Sequence, residues 1–141
     1  MEPADRGGRL VRRFGAALAA GTAFLATGSD IGGSLRAPSS FTGVVGFKPP
    51  HGRNPVLPPA GLDACYHHGP MARIVADCAL LQKVMAGEDP HSRLPPARIE
   101  LGDVRGLRVA CCPVPGDLPV DSEVAANTRA VAHRWRRPVR W

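Results

Sequence analysis

The stretch GSDIGGSLRAPSSFTGVVGFKP, Gly28 to Pro49, constrains this chain more than any other feature. Gly32 and Gly33 stand directly before Ser34, with Asp30 and Arg36 on either side. Glycine lets the backbone adopt conformations that other residues avoid, and it leaves neighbouring N–H groups unshielded by side chains. A row of such N–H groups is what an oxyanion or a phosphate requires. Ser34 taken alone is equally a turn or capping serine, because glycine and serine dominate ordinary turns. The phosphate reading is the weaker one. The stretch lacks the Gly-Lys-Ser/Thr ending of a P-loop and does not match Gly-x-Gly-x-x-Gly. The Gly-x-Ser-x-Gly elbow that presents a serine beside a histidine base is also missing.

Composition narrows the choice. With 141 residues, 44% of them hydrophobic and 21% charged, the chain has material for one domain with a modest core. Its net charge of +6 is concentrated at the two ends, in Arg6, Arg9, Arg12 and Arg13 and in Arg134, Arg136, Arg137 and Arg140. A nucleic-acid module would interleave aromatic or polar groups with those arginines, and one tyrosine and two tryptophans supply little of that. Nucleic acid is therefore not the expected partner, and a non-catalytic basic nucleic-acid-binding module stands as the alternative from a different functional class. No apolar run approaches the roughly eighteen residues of a membrane span, and Met1 is followed by Glu2 and Asp5 rather than by a basic and then apolar signal region. A cytoplasmic location without membrane attachment is the expectation. Cys65, Cys78, Cys111 and Cys112 show no Cys-x-x-Cys spacing and read as reduced thiols. Cys65, His67 and His68 lack a suitably spaced fourth ligand, so no metal site is expected.

The element pattern predicts an α/β fold. Ala-rich FGAALAAG reads as helix and leads into an apolar segment able to enter a sheet. Pro38 opens a short helical turn, and Gly43 to Phe47 reads as a buried strand ended by Pro49 and Pro50. A Pro- and Gly-rich loop follows. The next helix carries Ile74, Ala76, Cys78, Leu81, Val84 and Met85 as its apolar stripe, with Gly87 as its stop. After a linker at Pro90 to Pro96, Gly106 to Pro113 reads as a second buried strand, and Asp121 caps a last helix through Val131.

With these residues in view, GSDIGGSLRAPSSFTGVVGFKPPHGR resembles the signature of the amidase signature family, G-[ST]-D-x-G-G-S-[IVL]-R-x-P-[AS]-x-x-x-G-x-x-G-x-K-P. HHGPMARIVADCALLQKVMAGEDP and GLRVACCP are similar to later family segments, so the resemblance covers about Ala16 to Ala132. It implies part of a mixed sheet flanked by helices, and a cofactor-free hydrolase that cleaves small-molecule amides with a Ser, cis-Ser and Lys triad. Residue by residue, it makes Ser34 the nucleophile and assigns the oxyanion hole to the N–H groups of Ile31, Gly32, Gly33 and Ser34. Ser29, Asp30 and Arg36 would brace the loop. A glutaminase-type amidotransferase component is the alternative within the family, disfavoured by PPHGRNPVLPPAGLDACYHHGP, which is closer to simple amidases.

Two departures bear on activity. The family's cis-Ser position falls on Leu10, and no lysine precedes Ser34; Lys48 fills the Lys-Pro position and Lys83 lies on a helix. A serine hydroxyl without base or relay is a poor nucleophile. The residues at fault, Arg9 to Gly15, read Arg-Leu-Val-Arg-Arg-Phe-Gly, which is what GC-rich codons for the family's Gly-Gly-Ser-Ser-Gly-Gly-Ser give in a displaced frame. A serine-rich alternative frame in the nucleotide sequence is the expected result, and its absence from every frame would refute the idea. The chain accordingly divides into an aberrant Arg-rich start (1–15), an amidase fragment (16–132) and an aberrant Arg/Trp tail (133–141). Alone, it is expected to be inactive and to form oligomers or aggregates.

Overall fold

A computed structural model describes residues 4–57, 63–86, 107–116 and 118–135. The chain divides into two compact units, residues 1–100 and 101–141. In the first unit the order is α1 (Ala4–Ala19), β1 (Leu25–Asp30), α2 (Arg36–Thr42), β2 (Val45–Gly46), β3 (His67–Ala72) and α3 (Val75–Met85).

The three strands form one antiparallel sheet in the order β1-β3-β2. β3 pairs along β1 from Leu25 opposite Ala72 to Asp30 opposite His67, and it meets β2 at Val45 and Gly46. Being central, β3 is the strand that buries most, with Gly69 to Ala72 all inaccessible. α1 buries Val11, Gly15 and Leu18, whose spacing of four and three residues keeps them on one helical face, with Gly15 set against α2, where a Cβ would stand 2.9 Å from Thr42 Oγ1. Val11 and Leu18 join Leu35 and Met71 in the core, while Arg12 and Arg13 stay in solvent. Gly28 leaves room for this packing: a Cβ there would stand 3.0 Å from Val11 Cγ1.

α1 starts ten residues before the Phe14 that opens the expected helix; Gly7 and Gly8 in the added segment disfavour helix, and the burial of Val11 in the core supports the extension instead. It runs unbroken through the expected boundary between residues 15 and 16. α2 forms as expected; Pro38 occupies its first turn, where a missing N–H costs nothing, and Gly43 ends it at φ 67°.

α3 forms where expected but turns a different face inward. Cys78 and Gln82 are buried with Ala86 just beyond, whereas Ile74, Ala76 and Val84 are exposed. Apolar residues occupy most sides of this helix, so periodicity did not fix its inner face. Gly87, the Pro90 to Pro96 linker and Gly106 lie outside the described residues.

The second unit contains α4 (Ser122–Trp135). Asp121 caps it as expected, its Oδ1 accepting from the N–H groups of Glu123 at 2.8 Å and Val124 at 3.4 Å. The helix continues beyond Val131 through the expected boundary between residues 132 and 133. The strand expected over Gly106 to Pro113 does not form among the described residues 107–113, which are mostly exposed and unpaired. A strand needs a neighbour for its N–H and C=O groups, and the second unit contains no strand among the described residues.

Candidate active site

β1 delivers Asp30 to the start of the glycine-rich loop, and the side chain is almost wholly buried, at 1% exposure. The carboxylate is saturated with donors. Oδ1 accepts from the Gly33 N–H at 2.7 Å and from Arg36 Nη2 at 3.1 Å; Oδ2 accepts from Arg36 Nε at 2.8 Å and from the Arg36 N–H at 3.3 Å. The loop therefore folds back on its own strand. Burial alone would push the Asp30 carboxyl up, but the paired guanidinium and the two backbone donors outweigh it and hold the group at about 2. Arg36 is correspondingly pushed up by its bond to Asp30.

Gly33 sits at φ 117°, where a side chain is strained, and this conformation lets its N–H turn in to Asp30. Its carbonyl accepts the Ala37 N–H at 2.8 Å, joining the loop to α2. Leu35 follows and is completely buried in the core, so Ser34 is held between an anchored glycine and an anchored leucine. Ser34 itself is half-buried. Ile31 and Gly32 are exposed.

Of the four N–H groups assigned to the oxyanion hole, Gly33's is engaged by Asp30. Those of Ile31, Gly32 and Ser34 make no backbone or side-chain bond among the described residues, and neither does Ser34 Oγ. The nearby serines differ. Ser39 is buried and its hydroxyl donates to the Leu35 carbonyl at 2.9 Å, and Ser40 lies exposed on α2. Ser29 precedes Asp30 on β1 and so projects from the opposite face of the strand; among the described residues it makes no bond to the Asp30–Arg36 network.

Leu10, where the resemblance expects the cis-Ser, lies within α1. Lys83 is exposed in the last turn of α3 and Lys48 is half-buried after β2. Among the described residues no three His, Cys, Asp or Glu side chains converge on a metal position. His67 Nδ1 lies 2.7 Å from the Cys65 carbonyl, and His68 Nε2 lies 2.8 Å from the Tyr66 hydroxyl. Burial pushes the His68 imidazole down and the Cys78 thiol up, which keeps both neutral near pH 7. All four cysteines are free.

The sequence reading missed a buried amide pair, Asn54 with Gln82. Neither residue stands in a pattern that distinguishes it from an exposed amide. Only the tertiary contact between residues far apart in the chain reveals them.

The chain matches the family model described as Amidase over residues 14–137. It is 47% identical over 122 residues to an acylamidase of Rhodococcus erythropolis, covering 79% of this chain and 25% of the relative. It is 37% identical over 137 residues to a glutamyl-tRNA(Gln) amidotransferase subunit of Paramagnetospirillum magneticum, covering 89% and 26%. Among solved structures, 6-aminohexanoate cyclic dimer hydrolase complexed with substrate superposes at a TM-score of 0.74 with 34% identity, covering 86% of this chain and 28% of the other. The chain thus spans about a quarter of the length of these relatives. The family match begins at Phe14, includes the whole loop from Gly28 to Ser34 and extends through α4, and on this ground the chain belongs to the amidase family.

Proposed function

We propose that this chain carries the nucleophile segment of a serine amidase, acting on small-molecule carboxamides through an acyl-enzyme on Ser34. The observation that carries the reading is the Asp30 bracket. By fixing Gly33 and Arg36 it presents Ser34 on a short loop in which the N–H groups of Ile31, Gly32 and Ser34 make no bond among the described residues. Ser34 Oγ would attack the amide carbon as its proton passes to a base, and the charge developing on the carbonyl oxygen would be met by those N–H groups. The proton then leaves with the amine, and water releases the acid. Asp30 and Arg36 brace the loop and do not themselves exchange protons. Asp30 is too acidic to serve as a base near neutrality, and Arg36 is permanently charged.

The base is not supplied by the family positions present here, since Leu10 replaces the cis-Ser and no lysine precedes Ser34. On this reading the proton from Ser34 Oγ passes to a group other than those the resemblance assigns within residues 28–36. A cytoplasmic location belongs to the same proposal; no helix of the described residues is long and apolar enough to cross a membrane. The matches to glutamyl-tRNA(Gln) amidotransferase favour a second reading, in which the chain is part of a glutaminase-type component. The acylamidase match supports the simple amidase as the first reading, because it holds 47% identity over 122 residues, whereas the amidotransferase matches of 47% and 51% extend over only 89 and 80 residues.

The test is a chimera in which residues 14–135 replace the matching quarter of the Rhodococcus erythropolis acylamidase. A serine-directed fluorophosphonate is expected to label Ser34, and Ser34→Ala to abolish labelling. Labelling at Ser29, Ser39 or Ser40 would overturn the assignment.

A further inference from the structure

Asn54 lies in the loop after Pro49 and Pro50, yet its side chain is buried. Its Nδ2 donates to the His68 carbonyl at 2.7 Å and to Gln82 Oε1 at 3.2 Å, and Gln82 Nε2 donates back to Asn54 Oδ1 at 2.6 Å. Gln82 is buried on the inner face of α3. Two complementary amides therefore tie a loop, a helix and a strand together, with no buried side-chain polar atom left unpaired among the described residues.

The place on β3 where this tie lands is informative. His68 is the register partner of Ser29, and His67 is the partner of Asp30. Asp30 in turn holds Gly33 and Arg36. The amide pair thus grips β3 directly across from the last two residues before the Ser34 loop. His67 and His68 are only half-buried, unlike the four residues that follow them, so this end of the strand has little apolar packing to keep it from opening.

We propose that Asn54 is a positioning residue for the Ser34 loop, keeping the ends of β1 and β3 together through the His68 carbonyl and its reciprocal bonds with Gln82. The catalytic meaning of this rests on the Ser34 reading above, but the geometry is testable without any reactivity at Ser34. Failure of one is therefore distinguishable from failure of the other.

Hydrogen exchange on the full 141-residue chain in the oligomeric form in which it is expected to elute, read at the Gly33 amide and across residues 25–36, is the experiment, with wild type and variants compared in the same form. Asn54→Ala is expected to speed exchange at Gly33 by roughly tenfold while residues 11–19 of α1 exchange as before. Truncating a buried amide risks unfolding, so Asn54→Asp is measured in parallel. It retains an oxygen to accept from Gln82 Nε2 but cannot donate to the His68 carbonyl, and the same local acceleration is expected. Unchanged Gly33 exchange in a variant whose α1 stays protected would overturn the proposal. So would acceleration spread evenly over α1 and the sheet, which marks a loss of general stability.

Discussion

Asp30 couples the shape of the Ser34 loop to the stability of the fold, because its four hydrogen bonds are strongest to an ionised carboxylate paired with Arg36. The sign of the pH effect follows from its value. The folded-state group titrates at about 2, against 3.8 for an unperturbed aspartate, so the folded chain binds this proton less readily than the unfolded one. Its stabilisation is complete above about pH 4 and is lost as pH falls through 2; at 1.36 kcal/mol per unit the contribution is about 2 kcal/mol. Urea unfolding between pH 2 and pH 6 is expected to show that slope, and Asp30→Asn to flatten it while lowering stability near neutrality by about 1–3 kcal/mol. A slope that persists in Asp30→Asn would assign the effect to other acids. At this scale much was legible: the spacing of Asp30, Gly33, Ser34 and Arg36 resembled a known loop, and the structure brings Asp30, Gly33 and Arg36 into contact. The engagement of Gly33's N–H by Asp30 was not legible, because it depends on a single backbone torsion.

The elements pack through glycines whose role is space. Gly69 on β3 faces the Phe47 carbonyl, and a Cβ there would overlap it, with Leu35 and Pro49 also within 3.1 Å. A backbone carbonyl cannot swing aside as a side chain can. Gly69→Ala is therefore expected to separate β3 from the segment after β2, where the Phe47 N–H donates to the Pro70 carbonyl at 3.1 Å, at a cost of about 1–3 kcal/mol. Gly32→Ala provides the contrast, since a Cβ there meets nothing within 4 Å and Gly32 is not among the glycines at positive φ. Thermal unfolding should show a clear loss for the first and almost none for the second; equal losses would mean that the close approach at Gly69 is not what limits packing. The same scale shows where sequence reading stopped. Pro38 and Asp121 placed α2 and the start of α4, because each acts on its own immediate backbone, whereas Gly43, expected to open a strand, ends α2 instead. The inner face of α3 and the fate of Val109 depend on which element lies opposite, and local patterns carry no information about that. Asn54 and Gln82 are the extreme case, a buried pair 28 residues apart.

For the whole molecule, the decisive quantity is apolar surface without cover. In the first unit Phe24 is 75% exposed, Phe41 89% and Val84 70%; in the second, Leu107, Val109 and Leu118 are exposed as well. The chain spans about a quarter of its relatives, which build their fold from the remainder too. Leaving about 1,000 Å² of such surface in water forgoes on the order of 25 kcal/mol at about 25 cal/mol per Å², against a typical net stability of about 5–15 kcal/mol. Strand edges on β1 and β2 that pair with no further described strand add a second drive to association. Expressed by itself, the 141-residue polypeptide is therefore expected to elute as an oligomer or aggregate. Activity faces a separate obstacle on the proposed reading, since Leu10 stands where the resemblance expects the cis-Ser, and losing triad members in serine hydrolases costs on the order of 10⁴ to 10⁶ in turnover. No amide hydrolysis above background is expected, even though the Asp30 bracket and the Ser34 loop are intact. Size-exclusion chromatography and an amidase assay on the same preparation check both statements. A monodisperse monomer that unfolds cooperatively and hydrolyses amides in a Ser34-dependent manner would show that the fold is self-sufficient and that another group in the chain serves as base.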